Sequence, residues 1–231
     1  MMVRVWAALA AILCLSLMVL RPEDVPRPWQ PWSPLVLSDD PNAVMRWKLR
    51  TIGFRDATCR AVLARSVARA AFRDDLVDSD KCHIRNRVEL SGLDLTRLAP
   101  VETRCEIAVR LYLWERNDLQ PAARDLLGSG LSQIHHFSSY SCRAMRTSRG
   151  DSTRMSEHAT ANAIDISGFT LDDGRQIDLI SGWDGDSPEA RFLRAARDGL
   201  CRWFNIVLSP DYNALHRDHF HADMGRFLTC R

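Results

Sequence analysis

The 231-residue chain has no C-x-x-C pair, no internal repeat, no low-complexity run outside one proline-rich stretch, and a net charge of only +2. Each absence excludes something. Cysteines that never pair at short spacing exclude the zinc-finger and dithiol redox motifs. The lack of a basic excess removes the electrostatic footprint of a nucleic-acid binder, so no nucleic-acid partner is expected. What remains is ordinary for a globular protein: 46% hydrophobic and 26% charged residues, enough to bury a real core. The length fits one large domain with appendages, or two small ones.

The N-terminus departs from that average. Residues 1–21 hold an apolar run from Val5 to Leu20, flanked by Arg4 and Arg21. A membrane span needs about 20 apolar residues, so the run is at the lower limit. It suits an uncleaved anchor better than a cleaved signal, because "SLMVLRPE" puts bulky residues where a signal peptidase needs small ones. Leu13 ahead of Cys14 likewise disfavours lipid attachment. Both readings export the remainder: a domain anchored on the periplasmic side of an inner membrane, or a free periplasmic one if the segment is cleaved.

The cysteines agree with export. Cys14 lies in the apolar run, leaving Cys59, Cys82, Cys105, Cys142, Cys201 and Cys230 spread singly. An even, scattered set behind an export segment reads as three disulfides in an oxidising compartment. Six cysteines allow about 15 pairings; sequential pairing, Cys59–Cys82, Cys105–Cys142 and Cys201–Cys230, is the simplest.

Residues 22–42 form a Pro/Trp-rich linker with Pro22, Pro26, Pro28, Pro31, Pro34 and Pro41, expected to be a stiff extended spacer. Trp29 and Trp32 within it are expected either to rest on the membrane interface or to pack on the domain, packing being the simpler reading. Globular patterning starts near Ala43. "DATCRAVLARSVARAAF" (56–72) has helical spacing, and "RNRVELSGLDLTRLAP" alternates like strand and turn. Residues 103–127 read as a long helix with Thr103 and Glu106 as a capping box, Pro121 splitting it and Gly128 and Gly130 ending it. "QIHHFSSYSC" is a strand. "NAIDISGFTLDDGRQIDLI" is a hairpin turning at Asp173-Gly174. "SPEARFLRAARDGLCRWF" is a helix with Ser187 as N-cap and Pro188 in the first turn. "FNIVLS" and "HFHADM" are short strands. The expected fold class is α+β: a small antiparallel sheet flanked by helices, stabilised by disulfides, behind an N-terminal membrane-anchor helix.

Chemistry concentrates in "MSEHATANAIDI" and "RDHFHADM". Zinc in a hydrolase takes three ligands from His, Asp, Glu or Cys and leaves a position for water. In "NAIDIS", Ala163, Asp165 and Ser167 share one strand face and Ile164 and Ile166 the other, so the carboxylate points away from the core. The same period puts His219 and His221 together, with Phe220 buried behind them. His83, His135, His136 and His216 read as surface or hydrogen-bonded residues, His216 being the one nearest the site.

"SEHATANAIDI" with "HFHAD" resembles the zinc peptidase superfamily of lysostaphin-type endopeptidases, D-Ala-D-Ala carboxypeptidases and the hedgehog signalling domain, whose shared pattern is S-x-H-x6-D followed by a His-bearing strand. A closer resemblance is to the extensin-like C-terminal domain family of exported bacterial proteins, carried by "QPAARDLLG", "SYSCR", "SEHATANAIDISGF", "GLCRWFNIVLSPDYN" and "HRDHFHADMGR". It divides the chain into residues 43–102, the N-terminal part of an extensin-like region, and 103–231, a zinc peptidase-like core.

The superfamily resemblance implies one Zn2+ per chain on His158, Asp165 and His221. It implies His219 as the group assisting the catalytic water and Arg143, near the arginine of the carboxypeptidase S-G-Y-R-S stretch, as the substrate-polarising cation. Carboxypeptidase relatives carry Glu two or three residues before the last ligand; this chain has His219 and Asp218 there. His219 is therefore assigned as the base, with Asp218 orienting it and Ser156 either orienting a ligand or capping its turn. The implied activity is that of a zinc metallopeptidase on peptidoglycan stem or cross-link peptides, with membrane contact through the N-terminal segment. The alternative is a zinc-containing wall-binding domain without catalysis.

Overall fold

The computed structural model describes Trp6 and residues 24–53, 55–147 and 150–231. Apart from Trp6, the segment read as anchor or signal lies outside these residues. Among the described residues no helix is long and apolar enough to cross a membrane.

Helix α1 (Ala43–Ile52) starts at Asn42, whose side chain accepts the Met45 N–H at 2.9 Å, and it buries Met45, Leu49 and Ile52 at helical spacing. The proline-rich stretch before it is no free spacer. Leu35 and Leu37 are buried in the main core, and Lys48 Nζ donates to the Gln30 carbonyl at 2.8 Å. Regular structure here is limited to one 3-10 turn, Arg27–Trp29, but two leucines still gain by leaving water. Trp29 and Trp32 do not pack as expected; both are more than half exposed.

Helix α2 (Asp56–Ala64) is followed by strand β1 (Arg69–Phe72), so the helix expected over residues 56–72 ends eight residues early. The alanines fit either structure, and pairing of β1 with a distant strand decides between them. Then come β2 (Leu76–Ser79), β3 (Cys82–Ile84), β4 (Arg87–Gly92) and β5 (Arg97–Arg104). Thr103 belongs to β5 and is no helix cap. Helix α3 (Cys105–Trp114) starts beyond it with Arg104 in the cap position and no side-chain cap, while Glu106 bonds Arg110 at 3.2 Å. Every α3 residue except Glu106 is buried, the signature of a central helix.

A π-helical turn, Glu115–Leu119, separates α3 from α4 (Gln120–Leu127), so the expected break occurs one turn ahead of Pro121. Its Glu115 is wholly buried because its carboxylate accepts the N–H groups of Asp94, Leu95 and Thr96 at 2.8–2.9 Å. The chain continues through β6 (Leu131–Ser138), β7 (Ala144–Thr147), β8 (Gly150–Met155), β9 (Ala163–Leu171), β10 (Gln176–Asp178), α5 (Leu179–Gly182), α6 (Pro188–Trp203), β11 (Ile206–Leu208), β12 (Phe220–Asp223) and β13 (Thr229–Cys230). The β9–β10 hairpin turns at Gly174, whose φ of +87° suits glycine. Helix α6 carries the expected Ser187 cap, accepting from Ala190 N at 3.1 Å, with Pro188 in its first turn.

Among the described residues nine strands form one sheet, in the order β1-β4-β5-β6-β9-β12-β11-β13, with β10 also pairing β9. The class is α+β as expected, but the sheet is neither small nor purely antiparallel. β5 and β6 run parallel, as do β11 and β13. The helical stretch 105–127 provides the crossover that a parallel pair requires. Strands preceding and following residue 102 share this sheet.

Three disulfides are present, and two of them differ from sequential pairing. Cys59 bonds Cys105, Cys82 bonds Cys142, and Cys201 bonds Cys230 as expected. Sequence order carries no information on which sulfurs meet once β4 and β5 intervene.

Strand β9 sits near the middle of the sheet. On one face Phe169 packs edge-on to Phe192 of α6, ring centroids 5.3 Å apart, and tilted against Trp114 of α3 at 6.2 Å. Alternation places Ile164 and Ile166 there too, but the next buried positions in this core are Phe169 and Leu171. The phase therefore changes at Ser167–Gly168, where the register with β6 also shifts. Such a bulge re-aims side chains; here it keeps both halves of β9 against one core and leaves Asp165 on the opposite face.

Candidate metal centre

Four backbone features bring the polar residues together. β12 pairs antiparallel with β9 so that His221 stands directly opposite Asp165, as a shared face requires. Phe220, between the two histidines, is fully buried and edge-on to Trp183, ring centroids 5.7 Å apart. That contact turns His221 to the other face of β12. His219 sits in the turn just ahead of it, its N–H meeting the His216 carbonyl at 3.4 Å, so the strand expected from His219 starts one residue later. His158 arrives on a 3-10 turn, Glu157–Thr160. Ser156 caps this turn, its Oγ accepting the His158 N–H at 3.3 Å, so its role is in the backbone of the turn.

His158 Nε2 lies 3.1 Å from Asp165 Oδ1 and 3.1 Å from His221 Nδ1, and that Nδ1 is 2.9 Å from Asp165 Oδ1. The outer nitrogens are occupied. His158 Nδ1 donates to the Ser139 carbonyl at 3.0 Å, and His221 Nε2 donates to Asp223 Oδ2 at 2.7 Å. With both outer N–H groups used, neutral imidazoles would leave three lone-pair atoms facing one another with no hydrogen among them. Such a triangle calls for a cation at its centre, a metal ion or a proton. Burial opposes charge on Asp165, but the hydrogen bonds and charges of His158 and His221 prevail and hold its carboxyl well below the usual range. Burial likewise opposes charge on His221, and Asp165 and Asp223 together raise its pKa to about 9.

The donor set fits a divalent ion. A tetrahedral ion with bonds of about 2.0–2.1 Å sets its ligand atoms roughly 3.3 Å apart, a few tenths of an ångström wider than this triangle. Each imidazole also has the outer hydrogen-bond acceptor that fixes the tautomer of a metal-binding histidine.

His219 stands beside the triangle. Its Nε2 is 3.7 Å from Asp165 Oδ1, while its Nδ1 donates to Asp218 Oδ1 at 2.8 Å. His216 is also in the group, with its ring centroid 5.3 Å from that of His219 and 5.9 Å from that of His221. Its Nδ1 lies 2.8 Å from Asn213 Oδ1. Burial, then the charges of His221 and His219, lower its pKa to about 4. Arg143 is nearby: its charge also acts on His216, its carbonyl accepts the Ser156 N–H at 3.1 Å, and its Nη1 lies 3.5 Å from the Ala144 carbonyl. His135 and His136 bond Thr170 and the Ala99 carbonyl instead.

Two contributors are not marked by the motifs. Asp223 sits two residues after His221 on the same strand, a spacing that signals a shared face. Ser139 contributes a carbonyl, which no side-chain pattern reveals. It is fully buried, its hydroxyl donating to the Ala163 carbonyl at 2.6 Å and lying 2.7 Å from Thr103 Oγ1.

The class defined by these features is an α+β domain on a mixed sheet, closed by three disulfides, with a buried His-Asp-His cluster on one sheet face. A family model described as Extensin-like protein C-terminus matches residues 57–231, and the chain belongs to that family. No curated protein and no solved structure matches it.

Proposed function

We propose that this chain is an exported, zinc-dependent hydrolase of the peptidase type acting on peptidoglycan stem or cross-link peptides. One observation carries the reading: the convergence of His158 Nε2, Asp165 Oδ1 and His221 Nδ1 within 3.1 Å, with His219 Nε2 at 3.7 Å from the same carboxylate oxygen. The resemblance of "SEHATANAIDI" and "HFHAD" to the lysostaphin and D-Ala-D-Ala carboxypeptidase superfamily supports it.

His158, Asp165 and His221 would hold the ion. When bound, zinc supplies Lewis acidity, both to a scissile carbonyl and to a water molecule. His219 has the geometry of a proton carrier. Its Nδ1–H is committed to Asp218, leaving Nε2 as the acceptor that takes a proton from the attacking water and returns it to the leaving amine. Asp218 fixes that tautomer. Arg143, whose charge is felt at His216, would supply positive charge for a substrate carboxylate or a developing oxyanion. The disulfides and the N-terminal apolar run favour a periplasmic domain held at the inner membrane.

The test uses the full chain made in an oxidising compartment, as wild type, His158→Ala and His219→Ala, with metal content and muropeptide release read on each preparation. One zinc per chain, lost in His158→Ala, with release lost in both variants, is the expected result. Zinc without release from any muropeptide converts the assignment to a wall-binding domain, and no metal at all overturns both.

A further inference from the structure

On the sheet face that carries the cluster, a groove of about 470 Å³ opens next to His219, a volume in the range of ligand sites. Its floor is the β9 bulge at Ser167 and Gly168. Glycine at 168 is what lets β10 lie this close to β9: a Cβ there would stand 2.6 Å from the Ile177 carbonyl oxygen of β10. Phe137 of β6 and Ile180 of α5 form apolar walls, 58% and 61% exposed. The groove reaches the cluster at Asp218, which holds His219, and at Phe137, whose ring stands edge-on to His219 with centroids 5.6 Å apart.

Its charge is one-sided. Asp178 and Asp218 line it, and no lysine or arginine does. Asp178 accepts Ser181 N and Ser181 Oγ at 2.9 and 2.8 Å, and these bonds, the side-chain one first, hold its carboxyl below the usual range. His135 at the same groove is pushed toward neutrality by burial and then by the charge of His136. Two exposed apolar walls leading to carboxylates with no lysine or arginine beside them in the groove match an aliphatic stem ending in an ammonium group.

We infer that this groove binds the side chain of a diamino-acid residue in a peptide, its methylenes between Phe137 and Ile180 and its ammonium at Asp178, and so positions the peptide against His219. The inference rests on reading the cluster as a peptidase centre.

Binding separates the two claims. The full chain, wild type and Asp178→Asn, is titrated by calorimetry with the tripeptide L-Ala-γ-D-Glu-L-Lys and with its Nε-acetyl form. Asparagine caps a helix as well as aspartate does, so α5 keeps its start while the groove loses a charge. Wild type should bind the free amine about two- to fivefold more tightly than the acetylated peptide, as a single partly exposed charge pair gives, and Asp178→Asn should abolish that preference. Equal binding of both peptides by wild type, binding of neither, or a preference that survives in Asp178→Asn overturns the assignment. A preference of this kind without hydrolysis keeps the groove and removes the peptidase reading; hydrolysis indifferent to the amine does the reverse.

Discussion

Nε2 of His221 lies 2.7 Å from Oδ2 of Asp223, two residues further along the same strand. The other oxygen of Asp223 accepts the Gly225 N–H at 2.7 Å, so the carboxylate is pinned before it pins the imidazole. This fixes Nδ1, and not Nε2, as the nitrogen that His221 turns toward Asp165.

Asp223→Asn should therefore weaken metal binding by about 10- to 100-fold while leaving the fold intact, the usual cost of losing an outer partner of a ligating histidine. Competition with a chromophoric chelator measures it. Unchanged affinity would mean that Asp223 serves only the turn to Gly225.

His219→Ala should behave differently from His158→Ala. Removing His219 leaves all three converging atoms, so zinc stoichiometry is retained while hydrolysis falls by about 10²- to 10⁴-fold. Removing His158 should lose both. Atomic absorption and muropeptide chromatography on one preparation separate the two variants.

The metal-free chain should respond to pH in a defined direction. The pKa of His221 is raised to about 9 in the fold, above its ordinary value near 6.5. A group raised in this way adds stability fully present below about pH 6.5 and lost as pH climbs through 9. Thermal melts with chelator should show a falling midpoint across that window. Metal binding must displace the same proton, so affinity should rise close to tenfold per pH unit up to about 9 and then level. A flat chelator-treated melt from pH 6.5 to 9.5 would contradict this.

Joint replacement of Cys82 and Cys142 by serine should cost about 2–5 kcal/mol of stability and also lower metal affinity. Cys142 lies three residues beyond Ser139, whose carbonyl holds His158 Nδ1. Loss of Cys201–Cys230, at the far edge of the sheet, should cost stability alone. Denaturant titration and metal competition on both double variants make the comparison.

Part of this architecture is legible in the amino-acid order alone. The period of two in "NAIDIS" and "HFH" says at once which side faces the core and which faces the site, because isoleucine and phenylalanine mark the buried side of the stretches that carry Asp165, His219 and His221, although β12 itself begins only at Phe220. The Asp173-Gly174 turn and the Ser187-Pro188 helix start are legible because each is decided within a few residues. Distant partners are not. Arg69–Phe72 becomes a strand through pairing with β4, Thr103 is drawn into β5 and the hydroxyl of Ser139, and Cys59 meets Cys105 across 46 residues of chain. The phase change at Ser167–Gly168 is invisible for the same reason. It goes with the register shift against β6, and beside it Gly168 admits the close approach of β10; nothing in the local alternation announces either.

That approach has a consequence of scale. Asp178 is paired with Gly168, three residues along β9 from Asp165, and three residues of extended chain span about 10 Å. The strand thus works as a ruler, with the carboxylate of Asp178 at one mark and the His-Asp-His cluster at another. On the proposed reading, a peptide held at Asp178 would present to His219 only a bond lying at that distance, so the rigid middle of a sheet would choose the bond.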